Sequence, residues 1–438
     1  MDTIKIDFKN TTGIIKPMNA VNNGPVSSVR AVTNFDDYKA LEIPYARNHD
    51  AAFFSGFGGE HTVDVHRIFK NFDADETDPA NYIFQPTDAY IKTTFEAGTE
   101  TFYRLGAAIE HGYKYGTYPP KDFKKWARIC EHIIRHYTEG WANGFNYKIT
   151  YWEIWNEPDC HNGSSNPCWQ GTEEEFVEFY CVAAKHIKEQ FPHLKIGGPA
   201  FCVPWDYPSK QKFFTGIKES GAPLDFYSFH CYHAEMKHLK ESIDVTNEIL
   251  ARYDLHPETI LNEWNYIRGW LGEKWTYSIE TEQGLKGASF VAATMSIGQA
   301  EKLDMLMYYD ARPCNMNGLF DSLYNRRPSY YAFEMFRDLR RLGKYVPTES
   351  VDDVYLCAAT DGNNSGVMLT FYSETDGLEN KDVTIVFDGA PKGAKVTVKE
   401  YNGEGHTKKV ISFTVGEGPF SVDITAKEFN LYYISVEK

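Results

Sequence analysis

The chain has 438 residues, 42% of them hydrophobic and 24% charged, which excludes a disordered or fibrous protein. It leaves room for one barrel of about 250 residues or more beside a smaller module. The net charge of −16 makes an acidic surface that repels phosphate backbones and anionic membranes, so nucleic acid and membranes are excluded as partners.

The amino end, Met1-Asp2-Thr3-Ile4-Lys5, lacks the apolar core of a secretory signal, and no later run reaches the ~20 apolar residues of a membrane span. As given the chain reads as cytoplasmic; a trimmed signal would leave the same appearance in a periplasmic or secreted protein. Residues 4–8 alternate in hydrophobicity, and segment 1–13 is expected to add a strand to a carboxy-terminal sheet. From 14 to 345, short apolar runs alternate with amphipathic helical stretches, the rhythm of βα units around a parallel sheet. Eight strands are predicted, at 14–18, 41–45, 101–105, 149–155, 195–197, 225–229, 259–261 and 305–309, so the expected fold is a (β/α)8 TIM barrel.

The clearest predicted helix, 122–137, places Phe123, Trp126, Ala127, Cys130, Ile133, Ile134 and Tyr137 on one stripe. A second opens at Thr172, where Glu175 completes a capping box. A third, 330–342, ends before Gly343 as C-cap. After 346 the pattern changes to runs at 354–358, 365–372, 382–387, 394–401, 409–415 and 431–436, separated by Gly, Asp and Asn turns. Segment 346–438 is therefore expected to be an antiparallel β-sandwich. The 8 cysteines form no C-x-x-C pair and read as free thiols, although Cys160 and Cys168 are spaced to bridge a short loop in an oxidising compartment.

Two predicted strands end in a glutamate. Tyr151-Trp152-Glu153-Ile154-Trp155-Asn156-Glu157-Pro158 closes one, and Ile260-Leu261-Asn262-Glu263-Trp264-Asn265 closes another. Barrel enzymes carry their chemistry at strand ends. Cleaving a glycosidic bond needs a carboxylic acid on the departing oxygen and a second carboxylate opposite it. Glu157 suits the acid, with Trp155 and Pro158 as apolar neighbours that disfavour its charged form; Glu263 suits the nucleophile. Glu153 lies deeper and reads as a core ion-pair partner.

The motifs W-N-E-P and N-E-W-N resemble those of the retaining glycosidase barrels, and within them glycoside hydrolase family 39, which includes β-xylosidases and α-L-iduronidases. The similarity covers about 14–342, with the carboxy-terminal β-domain matching the family layout. The resemblance implies acid/base and nucleophile roles for Glu157 and Glu263, with Asn156 bonding the sugar 2-hydroxyl. Arg47-Asn48-His49-Asp50 resembles the family's R-F-H-G, so Arg47 would support the nucleophile and His49 would line the subsite of the attacked sugar. Phe229-His230-Cys231-Tyr232 matches F-H-x-Y, so Tyr232 would hold the nucleophile and His230 would face the sugar.

The chain also departs from the family. The third strand, Tyr103-Arg104-Leu105-Gly106-Ala107-Ala108-Ile109-Glu110, lacks the acidic and Phe-Met-Pro pattern. The eighth, Met305-Leu306-Met307-Tyr308-Tyr309-Asp310, lacks the tryptophan used as a sugar platform. Tyr308 or Trp264 is left for that task, with Asp310 as a further contact. Arg104 is a candidate for reaching a substrate group, and 56–88 is expected to roof the site. His61 and His66 with Asp64 make a weak metal pattern, and neither metal nor cofactor is expected.

The reading is thus a retaining glycoside hydrolase acting on an oligosaccharide or polysaccharide, with an exo-acting β-xylosidase as first expectation. Arabinosidase, galactosidase, glucosidase and endo-acting enzymes stay open, as do a non-catalytic carbohydrate-binding barrel and a homo-oligomeric state.

Overall fold

The computed structural model describes residues 2–27, 29, 31–49, 62–107, 116–160, 168–314 and 318–438. The first strand is β1 (Asp2–Asp7). Eight parallel strands then close into a barrel: β2 (Ala20–Asn22), β3 (Tyr45–Arg47), β4 (Glu100–Leu105), β5 (Tyr151–Ile154), β6 (Lys195–Phe201), β7 (Phe226–His230), β8 (Glu258–Trp264) and β9 (Met305–Tyr308). The barrel interior is filled by Ala20, Phe102, Tyr151, Phe226, Ile260, Met305 and Met307, with Tyr45 against them. The opposite faces of the same strands pack beneath the outer helices in a second, larger core.

Two barrel strands lie later in the chain than predicted. Residues 14–18 cross under the barrel instead: the Ile15 N–H donates to the Gly343 carbonyl, and Lys16 Nζ donates to the carbonyls of Gly298, Glu301 and Leu303. Leu41 is the C-cap of the helix Phe35–Ala40, Glu42 has φ +49, and Pro44 has no N–H to give a ladder, so β3 starts only at Tyr45.

The predicted helices form as Phe123–Thr138, capped by the Asp122 side chain accepting from the Lys124 and Lys125 N–H groups, Glu173–Gln190, with both bonds of the Thr172/Glu175 capping box, and Ser329–Leu342, with Gly343 at φ +86 as C-cap.

The carboxy-terminal strands are β10 (Lys344–Val346), β11 (Val354–Thr360), β12 (Ser365–Phe371), β13 (Lys381–Asp388), β14 (Lys395–Tyr401), β15 (Lys408–Thr414), β16 (Phe420–Ala426) and β17 (Leu431–Glu437). A six-stranded sheet, β10-β11-β12-β17-β14-β15, is antiparallel throughout. A three-stranded sheet, β1-β13-β16, includes β1 paired parallel to β13. Their inner faces share a core of Ile4, Ile6, Val367, Leu369, Ile385, Val396 and Ile434 among others. β16 is absent from the predicted strands although Phe420, Val422, Ile424 and Ala426 alternate toward the core between exposed Ser421, Asp423 and Thr425.

The sandwich packs on the barrel through the helices Leu285–Ala300 and Ser329–Leu342. The Ser289 hydroxyl, for example, sits 2.7 Å from that of Thr370. Among the described residues, no helix is long and apolar enough to cross a membrane.

Candidate active site

Strand alternation explains most of the barrel mouth. Along β7, Phe226 and Ser228 point inward and Tyr227 and Phe229 point to the helices, so His230 and, beyond the strand, Tyr232 also point inward. Along β8 the same rule would send Glu263 outward with Leu261. The ladder with β7 shifts register between Phe229 and His230, and that with β9 shifts between Leu261 and Trp264. This bulge turns both Asn262 and Glu263 inward, a common device beside active sites.

The same bulge corrects an expectation. Trp264 is sent outward, fully buried against Phe290 and Tyr308, and offers no face to a sugar. Tyr308 is likewise fully buried, packed on Phe333 beneath the helices. It follows inward-facing Met307, so alternation alone turns it away and brings Tyr309 to the mouth. Tyr309 is half-buried, with its ring 6.5 Å from that of His49 and 6.3 Å from that of Tyr232. Tyr309 was missed in the sequence, where the inward parity of Met305 and Met307 was the available signal.

At the end of β5 the parity breaks. Glu153 points into the barrel, but Trp155 takes φ +76 and swings out onto Trp169 and Phe179. The backbone there runs so close to Gly106, itself at φ +134, that a Cβ on Gly106 would lie 2.9 Å from the Trp155 ring. Trp155 therefore covers the helical side of the strand and is not the apolar wall expected for the acid. Glu157 has φ +46, and its N–H donates to the Ala200 carbonyl, Ala200 also having positive φ. Left-handed backbone at such non-glycine residues costs roughly 1–3 kcal/mol each and is held by the surrounding structure.

The two glutamates come together. Each offers one carboxylate oxygen to a group, completed by a His230 ring nitrogen, whose atoms all lie within 4.8 Å of one another. Glu157 and Glu263 are 6% and 4% exposed. On Glu263, Oε1 accepts from Arg47 Nη1 at 2.7 Å and Oε2 from the Tyr232 hydroxyl at 2.9 Å. His49 Nε2 lies 3.5 Å from Oε1. His230 Nδ1 lies 2.6 Å from Glu157 Oε1, and its Nε2 lies 3.5 Å from Glu263 Oε1.

Burial, with Arg47 adding and Glu263 opposing, pushes the His230 pKa down to about 4, so the ring is neutral near pH 7. A neutral imidazole has one N–H. It either donates through Nδ1 to ionised Glu157, or accepts there from protonated Glu157 with its own proton on Nε2, facing Glu263.

Behind Glu263 stands a buried network. Arg47 donates through Nε to Glu153 at 2.6 Å, through Nη1 to Asn22 at 3.1 Å and through Nη2 to Asn156 Oδ1 at 2.6 Å. Burial opposes its charge, but Glu153 and Glu263 outweigh that and raise its pKa. Glu153 also accepts from Ser228 and Asn262, each at 2.6 Å. This orients Asn156, whose buried Nδ2 has no partner among the described residues and keeps a donor for a ligand.

Asp310, Arg104 and two further polar residues near the strand ends, Asp159 and Arg268, are engaged elsewhere. Asp310 is fully buried, accepting from Asn23 at 2.7 Å with Arg312 at 3.2 Å. Arg104 donates to the His49 carbonyl and to Asp64. Asp159 accepts from the Cys202 N–H at 3.0 Å. Arg268 pairs with Glu374 of the sandwich.

Asp50, His61, Ala108, Ile109, Glu110 and the start of the expected roof at 56–61 lie outside the described residues. All eight cysteines are thiols. Glu157, Cys160 and Cys168 also bring one ligating atom each within 4.8 Å of the others, a grouping the spacing alone did not suggest.

A closed parallel barrel whose mouth joins two strand-end glutamates is a fold and site of the glycoside hydrolase type. Residues 59–268 match the family model described as Glycosyl hydrolases family 39. The beta-xylosidase of Caldicellulosiruptor saccharolyticus is 26% identical over 220 residues, 48% of this chain and 43% of that protein. The beta-xylosidase of Geobacillus stearothermophilus is 32% identical over 195 residues, 43% of this chain and 36% of that protein. The chain thus spans less than half the length of either relative. The crystal structure of a glucosidase from Croceicoccus marinus shares the fold with a TM-score of 0.80 at 18% identity, covering 100% of this chain and 99% of that one.

Proposed function

We propose that the chain is a retaining glycoside hydrolase in which Glu263 attacks the anomeric carbon and Glu157 is the general acid and base. The observation that carries this reading is the approach of the two carboxylates, oxygen to oxygen within 4.8 Å. Double displacement works with carboxyl groups about 5–5.5 Å apart, whereas inversion needs roughly 6.5–9.5 Å to admit a water.

The contacts support the division of labour. Glu263 accepts from Arg47 and Tyr232, a setting for a carboxylate that must be ionised to attack. Glu157 touches His230, a neutral imidazole, a setting in which a proton can be held and returned. In the first step Glu263 displaces the leaving oxygen, which takes the Glu157 proton. In the second Glu157 takes a proton from water, which cleaves the glycosyl–Glu263 ester. Asn156 Nδ2 is the donor for a sugar hydroxyl, and His49 and Tyr309 line the same mouth.

Two curated beta-xylosidases among the similar proteins favour a β-xyloside as substrate, with exo action as the first expectation. A 2-deoxy-2-fluoro glycoside of the sugar turned over should add one sugar mass to the peptide containing Glu263. Glu263→Ala should lose turnover and regain it with azide, releasing a glycosyl azide of inverted configuration. Wild-type rates in Glu263→Ala, or a label on another residue, would reject the assignment. A panel of aryl glycosides in which none is cleaved would leave a carbohydrate-binding barrel.

A further inference from the structure

The segment 265–271, between β8 and the helix Gly272–Gln283, carries an aromatic side chain that the mechanism above does not use. Trp270 is 57% exposed, and the following Leu271 is 86% exposed. The Trp270 ring lies 5.1 Å from that of Tyr232, edge to face, and stacks on Trp275 at 5.7 Å with 24° between the planes. Tyr232 donates to the nucleophile, and its ring also meets that of Tyr309. A continuous aromatic track therefore runs from Tyr309, beside His49, through Tyr232 to Trp270 and Trp275 at the surface.

The segment is braced from the sandwich. Arg268 pairs with Glu374 while its guanidinium lies 3.7 Å from the Tyr277 ring centre. The Tyr266 hydroxyl donates to the same Glu374 at 2.8 Å. Lys286 Nζ donates to the Glu374 carbonyl at 2.6 Å and to Asp376 at 2.7 Å. The segment leading to Trp270 is thus tied to the sandwich through Tyr266 and Arg268, and the Trp270 ring itself rests against Tyr232 and Trp275. An indole so fixed offers a flat surface with little rotamer freedom to lose on binding.

We infer that Trp270, set on Trp275 and held through Arg268 by Glu374, is the platform of a second sugar-binding subsite, stacking the residue next to the sugar attacked at Glu263. Sugar rings present polarised C–H groups on their flat faces, which suit the negative face of an indole. The adjoining Tyr232, shared between nucleophile and platform, makes the two subsites continuous. This inference rests on the glycoside hydrolase reading and adds that the substrate is an oligosaccharide recognised over at least two rings. It also assigns the sandwich a part in specificity, since Glu374 acts as a positioning residue for Trp270.

The test compares xylotriose with β-xylosyl fluoride, whose leaving group has no ring to stack. In Trp270→Ala the ratio of kcat/KM on xylotriose to that on the fluoride should fall about tenfold, the equivalent of one good aromatic contact. Trp270→Phe should restore part of the ratio, and Glu374→Ala should lower it in the same direction. Trp270 is exposed, so its truncation keeps the fold, which the thermal midpoint checks. An unchanged ratio overturns the subsite. So does an unchanged ratio accompanied by a dimer-to-monomer shift in sedimentation, which would make the patch a contact between copies of the chain. Should the wild type cleave no glycoside, the parent reading fails by itself. Quenching of tryptophan fluorescence by xylotriose, lost in Trp270→Ala, would then still uphold the platform, and absence of quenching would overturn it.

Discussion

Replacing Arg47 by Met probes the network that holds Glu263. Arg47 is fully buried and makes four hydrogen bonds, to Glu153, Glu263, Asn22 and Asn156. Methionine keeps much of the volume but removes every donor. Glu153 and Glu263 are then left as two buried carboxylates without the guanidinium between them, Ser228 and Asn262 still donating to Glu153 and Tyr232 to Glu263. Breaking one partner of a buried ion pair costs about 3–5 kcal/mol, and Arg47→Met should fall in that range by urea denaturation followed through tryptophan fluorescence.

Glu153→Gln should also destabilise alone, because its amide must bring an N–H toward the Arg47 Nε–H or lose the acceptor used by Ser228 and Asn262. In the double variant the conflict disappears. The double-mutant cycle should therefore show coupling of about 1–3 kcal/mol. For turnover, loss of the Arg47 bond to Glu263 and of the Asn156 anchor should lower kcat/KM about a hundredfold or more, and Glu153→Gln should lower it less. Arg47→Lys keeps the charge without the planar fork and should recover stability more than rate. Additivity within ~0.5 kcal/mol, or an Arg47→Met cost below ~1 kcal/mol, would refute the reasoning.

Three further outcomes are expected. Burial lowers the His233 pKa to about 3, with His238 adding to the effect, so the unfolded chain takes up a proton near pH 6.5 that the folded chain refuses. Stability is therefore full above pH 6.5 and declines on acidification from 6.5 toward 3, by about 2 kcal/mol at pH 5 from this group; His233→Phe should flatten the loss measured between pH 7 and 5, and an equal slope would reject the assignment. Gly106→Ala places a Cβ 2.9 Å from the Trp155 ring at φ +134, and should cost about 2–4 kcal/mol in denaturation, against about 1 kcal/mol of backbone strain alone for Gly377→Ala, whose φ is +77 but whose Cβ would meet nothing within 4 Å; equal costs would reject the steric contribution. Cadmium should inhibit turnover through Glu157, Cys160 and Cys168, and the double variant Cys160→Ser/Cys168→Ser should lose that sensitivity; undiminished inhibition would exclude the cluster.

Much of the fold was legible because local signals agreed. The stripe Trp126–Ala127–Cys130–Ile133–Ile134, the Asp122 cap and the Thr172/Glu175 box each specify a helix and its start within a few residues. The ladder positions of 14–18 and 41–45 were not legible. Apolar composition reports burial, and both segments contain buried side chains, but it does not say whether burial comes from a ladder or from a turn under the barrel. The strand-end glutamates were visible for a similar reason: a carboxylate between β-branched and aromatic residues is chemically conspicuous in any register.

By itself the sequence determined the alternating barrel and sandwich, the two glutamates and the residue types around them, since periodicity and side-chain chemistry are properties of the chain. Only the tertiary structure decided which way those residues face. The bulge at Asn262–Glu263 and the left-handed backbone at Trp155 and Glu157 exist because neighbouring strands and the packed indoles hold them, and no local preference favours either. They invert the alternation, turning Glu263 to the cleft and Trp264 to the helices. The partnership of Arg47 with Glu153 and that of Arg268 with Glu374 join residues 106 positions apart, across the barrel and across the two domains. Such pairings depend on where closure of the barrel and docking of the sandwich bring the side chains, which local pattern does not encode.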